Sequence, residues 1–247
     1  MNRCARRLGP GVTLVLRESN PRPPFLVSSR AALENRPRGK EARQCHTAAC
    51  SFSLAVVADG ISSCPFGGSV ARWVVANHLA KDRITVRPGV KTEKLLRDYL
   101  IALNERFRDE FSDLPEMLAS GACLSAAFHC RRETHCFWVG DSPIYETRRV
   151  DGRLETELVS HPDSAGENFV TDWFGGTSHF ELKHIRLSAQ AVICTITSDG
   201  AIHDADMLNA TYKEHGFSQA VATMVCQDAL SQPDADDVSI AAMRFGG

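Results

Sequence analysis

Three apolar segments of strand length in this chain end at an aspartate paired with a glycine. They are LAVVADG at residues 54–60, HCFWVGD at residues 135–141 and AVICTITSDG at residues 191–200. A fourth acidic pair, Asp236-Asp237, directly precedes the apolar segment VSIAAMRF. A carboxylate at the end of a buried strand is costly to desolvate unless it accepts hydrogen bonds or faces a cation. The chain is therefore constrained to folds that bury these strands and find partners for their acidic ends.

Each Asp-Gly pair, taken alone, is typical of a plain turn. Taken together, the repeated context favours a metal site, because carboxylates that converge on one edge repel one another. Hard divalent cations such as Mg²⁺ and Mn²⁺ resolve that repulsion, since they prefer oxygen ligands. The glycines that follow Asp59 and Asp199 allow the backbone to approach a ligand closely.

The remaining periodicities predict an α+β domain. Helical spacing predicts helices over residues 67–81, 92–111 and 216–230, with Thr92 as the cap of the second helix. Residues 18–44 and 164–180 are rich in loop-forming residues or irregular in pattern. Strand patterns occupy residues 11–17, 52–58, 122–130, 135–141, 143–149, 154–160, 191–197 and 238–245, and Asp151-Gly152 predicts a hairpin turn. Helices and antiparallel strands are segregated, which argues against a doubly wound parallel sheet.

Composition limits the classes of function. A chain of 247 residues with 43% hydrophobic content can bury one sizeable core. Residues 1–43 hold ten Lys and Arg against three Asp and Glu, so the body is acidic and the start is basic. That charge alone favours a solvated segment over a nucleic-acid-binding one. No apolar run has the length of a membrane span or of a secretory signal, so a cytoplasmic location is expected, with an organelle transit peptide as the alternative.

Nine cysteines contain no C-x-x-C pair and are expected to be reduced, packed thiols. A zinc site is the alternative for two groups of residues, although their spacing is not that of a standard zinc motif. The first group is Cys45, His46 and Cys50. The second comprises the pairs His129-Cys130 and His135-Cys136.

Six segments in chain order resemble the metal-dependent protein phosphatases of type 2C. VVADGISSCPFGGSVAR looks like the metal-binding segment of that family, and GACLSAAF is similar to its Gly-Thr-Thr strand. FWVGDSPIYETR resembles its G-D-S-R-x-Y hairpin, and WFGG resembles its A-L-G element. TITSDGAIHD is similar to C-S-D-G-L-x-D, and ADDVSIAAMRF to the D-N-x-S/T final strand. The resemblance covers residues 12–245.

The resemblance implies a four-layer α-β-β-α sandwich, in which helices flank two antiparallel sheets, and a centre of two Mn²⁺ or Mg²⁺ ions at one edge. Asp59 would bridge both ions and Gly60 would bind through its carbonyl. Asp199 and Asp236 would each hold one ion, and Asp141 would support the turn rather than touch metal. The ions would lower the pKa of a bridging water and screen the phosphoryl charge.

Departures from the family pattern concern the upstream R-x-x-N-E-D, whose nearest match is RPRGKEA. Arg36 would stand for the phosphate-binding arginine and Glu41 for the acidic metal ligand, with Arg30, Arg38 and Arg43 as alternatives to Arg36. LVSHPDS resembles L-T-x-D-H-S with its aspartate displaced by one place. A third, weakly bound ion at Asp163 is therefore an open question.

The sequence thus favours a serine/threonine phosphoprotein phosphatase with a basic tail at residues 1–10 and a single phosphatase-like domain at residues 11–247. Its expected partners are a phosphoprotein substrate and the cognate kinase, with neither nucleic acid nor membrane, and it is expected to be a monomer. The alternative is a pseudophosphatase that acts as a regulatory or binding module, because the upstream motif is altered. The intact Asp59, Asp199 and Asp236 argue against that alternative.

Overall fold

A computed structural model describes residues 25–30, 46–51, 54–79, 91–130, 133–163, 170–176, 180–201, 204–231 and 238–245. For residues 25–30, 46–51, 76–78 and 130 only the backbone is described. The strand predicted at residues 11–17 lies outside the described residues. All strands pair antiparallel and form two sheets.

The larger sheet has six strands and carries the first two predicted acidic strand ends. Within the described residues, the strands are β2 (His46–Ser51), β3 (Leu54–Gly60), β4 (Gly121–Cys130), β5 (Glu133–Val139), β8 (Phe174–Gly175) and β9 (Lys183–Arg186). Their order in the sheet is β2-β3-β4-β5-β9, and the short β8 pairs with β4. Strand β9 was not predicted, because KHIR is only four residues long and carries three basic or titratable side chains.

The smaller sheet has five strands in the described part of the chain. They are β1 (Phe25–Arg30), β6 (Ile144–Val150), β7 (Arg153–Leu158), β10 (Ala191–Thr197) and β11 (Val238–Arg244). Their order in the sheet is β1-β11-β10-β6-β7. The predicted hairpin turn is confirmed: Asp151 and Gly152 join β6 to β7 with φ of 48° and 80°. The prediction that residues 18–44 form a loop is wrong at β1. This strand lies at the edge of its sheet, where prolines close to a strand are tolerated.

Five helical segments of the described residues cover the outer faces. They are α1 (Gly67–Arg72), continued by a π-helical segment at Trp73–Leu79, and then α2 (Thr92–Glu110), α3 (Pro115–Leu118), α4 (Ala205–His215) and α5 (Gln219–Leu230). All three predicted helices are confirmed, the third of them as α5, but Thr92 is not the cap of α2. Lys91 holds the cap position without a side-chain hydrogen bond, and Thr92 is the first helical residue. No helix within the described ranges is both long enough and apolar enough to cross a membrane.

Three apolar clusters separate the layers, and they confirm the predicted α-β-β-α sandwich. The first lies between the larger sheet and α1 and α2, the second between the two sheets, and the third between the smaller sheet and α4 and α5. Strand alternation sets this division: Val56 and Ala58 face the helices, whereas Ala55 and Val57 face the second sheet. Asp59 continues the second series and therefore points toward the space between the sheets.

Candidate metal centre

Asp59 stands at the end of β3, where the inter-sheet core gives way to solvent. Its partner on the neighbouring strand is Cys123 of β4, and Asp59 is only 8% exposed. The five preceding residues, 54–58, are buried and apolar, which fixes the strand and brings the carboxylate to its end. This is the local geometry that the sequence predicted for Asp59.

Gly60 lies against the start of α1, and the contact leaves no room for a side chain. A Cβ at residue 60 would lie 2.3 Å from the carbonyl carbon of Gly67 and 2.5 Å from the backbone nitrogen of Gly68. The next amide, that of Ile61, donates to the carbonyl of Gly121 at 3.1 Å. The Asp59-Gly60 pair is therefore held between the beginnings of α1 and β4.

Asp141 follows β5 through Gly140, whose φ of +91° favours glycine. The Asp141 carboxyl shares a hydrogen bond with the thiol of Cys123. Burial raises the pKa of Asp141, the thiol hydrogen bond opposes that rise, and the charges of Asp199 and Asp163 add to it. The charge of Asp199, at the end of β10, therefore acts on Asp141, at the end of β5.

The Cys123 thiol lies in the middle of this acidic edge. Burial raises its pKa well above the usual value, and the charges of Asp141 and Asp59 raise it further. The thiol therefore stays protonated at neutral pH and acts as a hydrogen-bond donor rather than as a thiolate ligand. Sequence reasoning missed Cys123, because its position depends on the register between β3 and β4 and not on any local motif.

Asp199 follows β10 on the opposite sheet. Its Oδ1 accepts a hydrogen bond of 2.7 Å from the amide of Gly200. The preceding Ser198 joins β10 to β11 twice: its amide donates to the carbonyl of Ser239 at 2.9 Å, and its Oγ accepts from the Ser239 amide at 2.9 Å. These bonds fix the backbone just before Asp199 and leave the residue partly exposed at the edge.

Asp163, the candidate for a third ion, has another role in the described geometry. Its side chain forms an ion pair with Lys183 of β9 and accepts a hydrogen bond from the amide of Gly140 at 3.2 Å. Its own amide donates to the Gly140 carbonyl at 2.9 Å. Asp163 is therefore bound to the turn that carries Asp141.

The predicted ligands divide into those that the structure describes and those that it does not. Asp59, Gly60 and Asp199 are described, and Asp59 and Asp199 both border the edge where Asp141 lies. Arg36, Glu41 and Asp236 lie outside the described residues. Within the described part of the chain, no three His, Cys, Asp or Glu side chains are close enough together to hold a metal ion.

The donors at this edge nevertheless fit a hard divalent cation. Asp59 and Asp199 offer carboxylate oxygens, and the rigidly held Gly60 offers a backbone carbonyl. Burial is the main cause of the raised pKa of Asp141, and the charges of Asp199 and Asp163 add to it, so a cation at this edge would lower the cost of ionising that carboxyl.

Among the described side chains of the alternative zinc site at residues 129–136, His129, His135 and Cys136 do not converge on one point. Nδ1 of His129 contacts Oγ1 of Thr134 at 3.0 Å, and the ring of His135 pairs with that of His184. Cys136 points to the other face of β5, where its sulfur lies 3.9 Å from that of Cys194. Adjacent residues in a strand cannot converge on one ion from opposite faces.

A cavity of about 960 Å³ lies next to the ion pair of Asp163 and Lys183, and Lys183 forms part of its wall. Its cationic side chains already have partners: Lys183 pairs with Asp163, Arg97 with Glu93 and the carbonyl of Leu182, and His184 with His135. The cavity is therefore a weaker candidate for phosphate binding than the acidic edge with a bound cation.

Comparisons with known proteins agree with this geometry. The family model described as Protein phosphatase 2C matches residues 41–237. A search of curated proteins gives no significant match.

Solved structures share the fold at low identity. The Staphylococcus aureus serine/threonine phosphatase Stp1 is 14% identical, with a TM-score of 0.73 over 98% of this chain and 99% of that one. The Mycobacterium tuberculosis serine/threonine phosphatase PstP is 16% identical, with a TM-score of 0.71 over 91% and 99%. A catalytic domain of PstP in complex with two manganese ions is 17% identical, with a TM-score of 0.68 over 90% and 98%.

Proposed function

The chain belongs to the protein phosphatase 2C family of protein serine/threonine phosphatases, and we propose that it hydrolyses phosphoserine and phosphothreonine esters of proteins at an edge that holds two divalent cations. The observation that carries the proposal is the buried carboxylate of Asp59 at the end of an apolar strand. The charges of Asp59 and Asp141 both act on the Cys123 thiol, and the charge of Asp199 acts on Asp141. The PstP catalytic domain was solved with two manganese ions, which supports Mn²⁺ or Mg²⁺ as the cofactor.

Each ligand has a role in this proposal. Asp59 would bridge the two ions, Gly60 would contribute its carbonyl, and Asp199 and Asp236 would each bind one ion. Glu41 would supply the remaining carboxylate. When bound, the ions lower the pKa of a water and offset charge on the phosphoryl oxygens. The alternation of side chains along β3 supports the role of Asp59, because it directs this carboxylate to the space between the two sheets. Asp199 follows the last residue of β10, on the second sheet.

Two further side chains would support the reaction, one by binding the substrate and one by holding Asp141. Arg36 would bind two phosphoryl oxygens with its planar guanidinium group and thereby fix the ester for in-line attack. The Cys123 thiol, held protonated by burial, donates to Asp141 and keeps that carboxyl in place. We assign the catalytic domain to residues 11–247 and the phosphoprotein and its kinase to the partners of this chain.

The proposal is tested by hydrolysis of p-nitrophenyl phosphate and of a phosphothreonine peptide in Mn²⁺, Mg²⁺ or EDTA. Asp59→Asn and Asp199→Asn should each lower turnover by at least about 100-fold, since second-sphere changes alone cost about 10- to 100-fold. Asp228→Asn, an exposed aspartate on α5, is the matched control and should retain full activity. Circular dichroism should show the same fold in all three variants.

Two outcomes would contradict the proposal. Full activity of Asp59→Asn would exclude its role as the bridging ligand. No turnover by folded wild-type protein that binds Mn²⁺ would favour a regulatory module over an enzyme. Glu41→Gln and Arg36→Ala extend the test to residues outside the described ranges: the first should weaken Mn²⁺ binding, and the second should raise KM for the phosphopeptide.

A further inference from the structure

Residues 161–163 run beside the end of β5 and are joined to it by three hydrogen bonds. Nε1 of Trp138 donates to the carbonyl of His161 at 2.9 Å. Two residues further along each segment, the Gly140 amide donates to Oδ2 of Asp163 at 3.2 Å, and the Asp163 amide donates to the Gly140 carbonyl at 2.9 Å. Asp163 therefore holds both backbone groups of the residue that immediately precedes Asp141.

Both carboxylate oxygens of Asp163 are engaged within the chain. Oδ2 accepts from Gly140, and Oδ1 forms the ion pair with the Lys183 ammonium group. The Asp163 side chain is 10% exposed and that of Lys183 is 29% exposed, so solvent screens this pair only in part. The Asp163 carbonyl is occupied as well, because it accepts from the amide of Thr171 at 2.9 Å and from its hydroxyl at 3.1 Å.

We infer that Asp163, held and neutralised by Lys183, is a positioning residue that fixes the Gly140-Asp141 turn at the acidic edge, and that it is not a ligand for a third ion. This inference rests on the proposed function, since it concerns the geometry of the same edge. A metal ligand needs an oxygen that faces the ion, whereas both oxygens of Asp163 already bind donors. Lys183 places a positive charge where a further cation would have to approach.

The turn that Asp163 holds is tightly constrained from its other side. A Cβ at residue 140 would lie 2.5 Å from the Cys123 sulfur, so Gly140 packs directly on the thiol that donates to Asp141. Loss of the Asp163 contacts would free the turn on one side only. The Asp141 carboxyl would then shift relative to Cys123 and Asp199, which is the kind of second-sphere change that costs about 10- to 100-fold in metal affinity.

Amide hydrogen exchange of Gly140, measured by NMR in the absence of metal, tests the positioning role directly. Asp163→Ala should accelerate exchange of this amide by at least about 10-fold, the factor that corresponds to one hydrogen bond. Asp163→Asn should change it less, because the side-chain oxygen can still accept. Lys183→Met should accelerate exchange, and Lys183→Arg should restore the wild-type rate. Equal Gly140 exchange in wild type, Asp163→Ala and Lys183→Met would overturn the inference.

Titration calorimetry with Mn²⁺ then separates a positioning residue from a ligand. Asp163→Ala should weaken binding by about 10-fold with the number of bound ions unchanged, and Asp163→Asn should bind as many ions as wild type. One ion fewer in Asp163→Asn would show that Asp163 is a ligand and would overturn the inference. If the wild-type protein bound no Mn²⁺, the proposed function would fail, while Gly140 exchange would still decide the role of Asp163.

Discussion

Nδ1 of His135 lies 3.1 Å from Nε2 of His184, across the pairing of β5 with β9. The ring centroids are 5.3 Å apart and the planes differ by 20°. Beyond this contact, Nε2 of His135 lies 3.5 Å from Glu133, and Nδ1 of His184 lies 3.5 Å from Glu93 of α2. The four side chains thus form a row with three polar contacts.

A neutral imidazole donates from one nitrogen and accepts at the other, so only one of the two rings can donate across the 3.1 Å contact. Nε2 of His135 is buried and has no hydrogen-bond partner among the described residues, because its contact with Glu133 is 3.5 Å long. Arg97 and Arg186 complete the charges around the row, as partners of Glu93 and Glu133.

The pH dependence of stability should reflect His184. Burial lowers its pKa, Glu93 opposes that effect, and the neighbouring His135, Arg97 and Arg186 add to it. The folded chain therefore binds fewer protons than the unfolded chain, and stability rises with pH. This contribution is fully present above the unfolded pKa of about 6.5 and is lost as pH falls below it.

Urea unfolding at pH 8 and at pH 5.5 measures this loss. His184→Gln should lose less stability than wild type between the two pH values, because glutamine does not titrate. His161→Gln, at an exposed position, is the matched control and should lose as much as wild type. The same loss in His184→Gln and wild type would assign the pH dependence to other groups.

Helix α2 offers a test of the core between the helices and the larger sheet. Leu100 is 1% exposed and Ile101 is 39% exposed, although the two residues are neighbours in one helix. Leu100→Ala should cost about 2–5 kcal/mol of unfolding free energy, because it removes buried methyl groups and leaves a cavity. Ile101→Ala should cost less than about 1 kcal/mol, and similar losses for both variants in urea would contradict the described packing.

The local half of the candidate site could be predicted from sequence. Asp59 and Asp199 follow apolar runs within a few residues, so hydrophobic pattern alone identifies strand, strand end and carboxylate. Helix α4 carried readable signals that were not used: Asp204 caps it by accepting from the Asp206 amide at 2.8 Å, and Gly216 follows its last residue with φ of 62°.

The non-local half could not be predicted, because it depends on pairing between distant segments. Lys183 meets Asp163 only because β9 pairs with β5, and Cys123 meets Asp141 only because β4 pairs with β5. Neither contact leaves a pattern in the residues nearby. Edge strand β1 was missed for a similar reason, since its pairing with β11 joins residues about two hundred positions apart in the sequence.

Two glycines with left-handed backbone angles separate backbone strain from packing. Gly140 has φ of +91° and Gly152 has φ of +80°, but only at Gly140 would a Cβ meet neighbours, 2.5 Å from the Cys123 sulfur. Gly152→Ala should cost about 1–2 kcal/mol from backbone strain alone. Gly140→Ala should cost about 1–3 kcal/mol more, from overpacking. Equal values in denaturant titrations would contradict the close contact between Gly140 and Cys123.

Removal of one carboxylate from the acidic edge should stabilise the metal-free protein. Burial raises the pKa of Asp141, and the charges of Asp199 and Asp163 add to the rise. A carboxyl whose pKa is raised by folding contributes stability below its unfolded pKa and loses it as pH rises through the folded pKa. Ionisation of Asp141 is therefore less favourable in the folded state than in the unfolded state, and Asp141→Asn should unfold at a higher temperature than wild type in EDTA at pH 7.

A control variant and a titration with Mn²⁺ test whether repulsion at the acidic edge causes this difference in unfolding temperature. Asp228→Asn should leave the unfolding temperature unchanged, because that carboxylate is exposed. Mn²⁺ should stabilise wild type more than Asp141→Asn, since a cation that binds only the folded state stabilises it more when its Kd is lower, and removal of a nearby negative charge raises that Kd. If Asp141→Asn were less stable than wild type in EDTA at pH 7, its hydrogen bond with Cys123 would outweigh the repulsion, and the acidic edge would need no cation to relieve it.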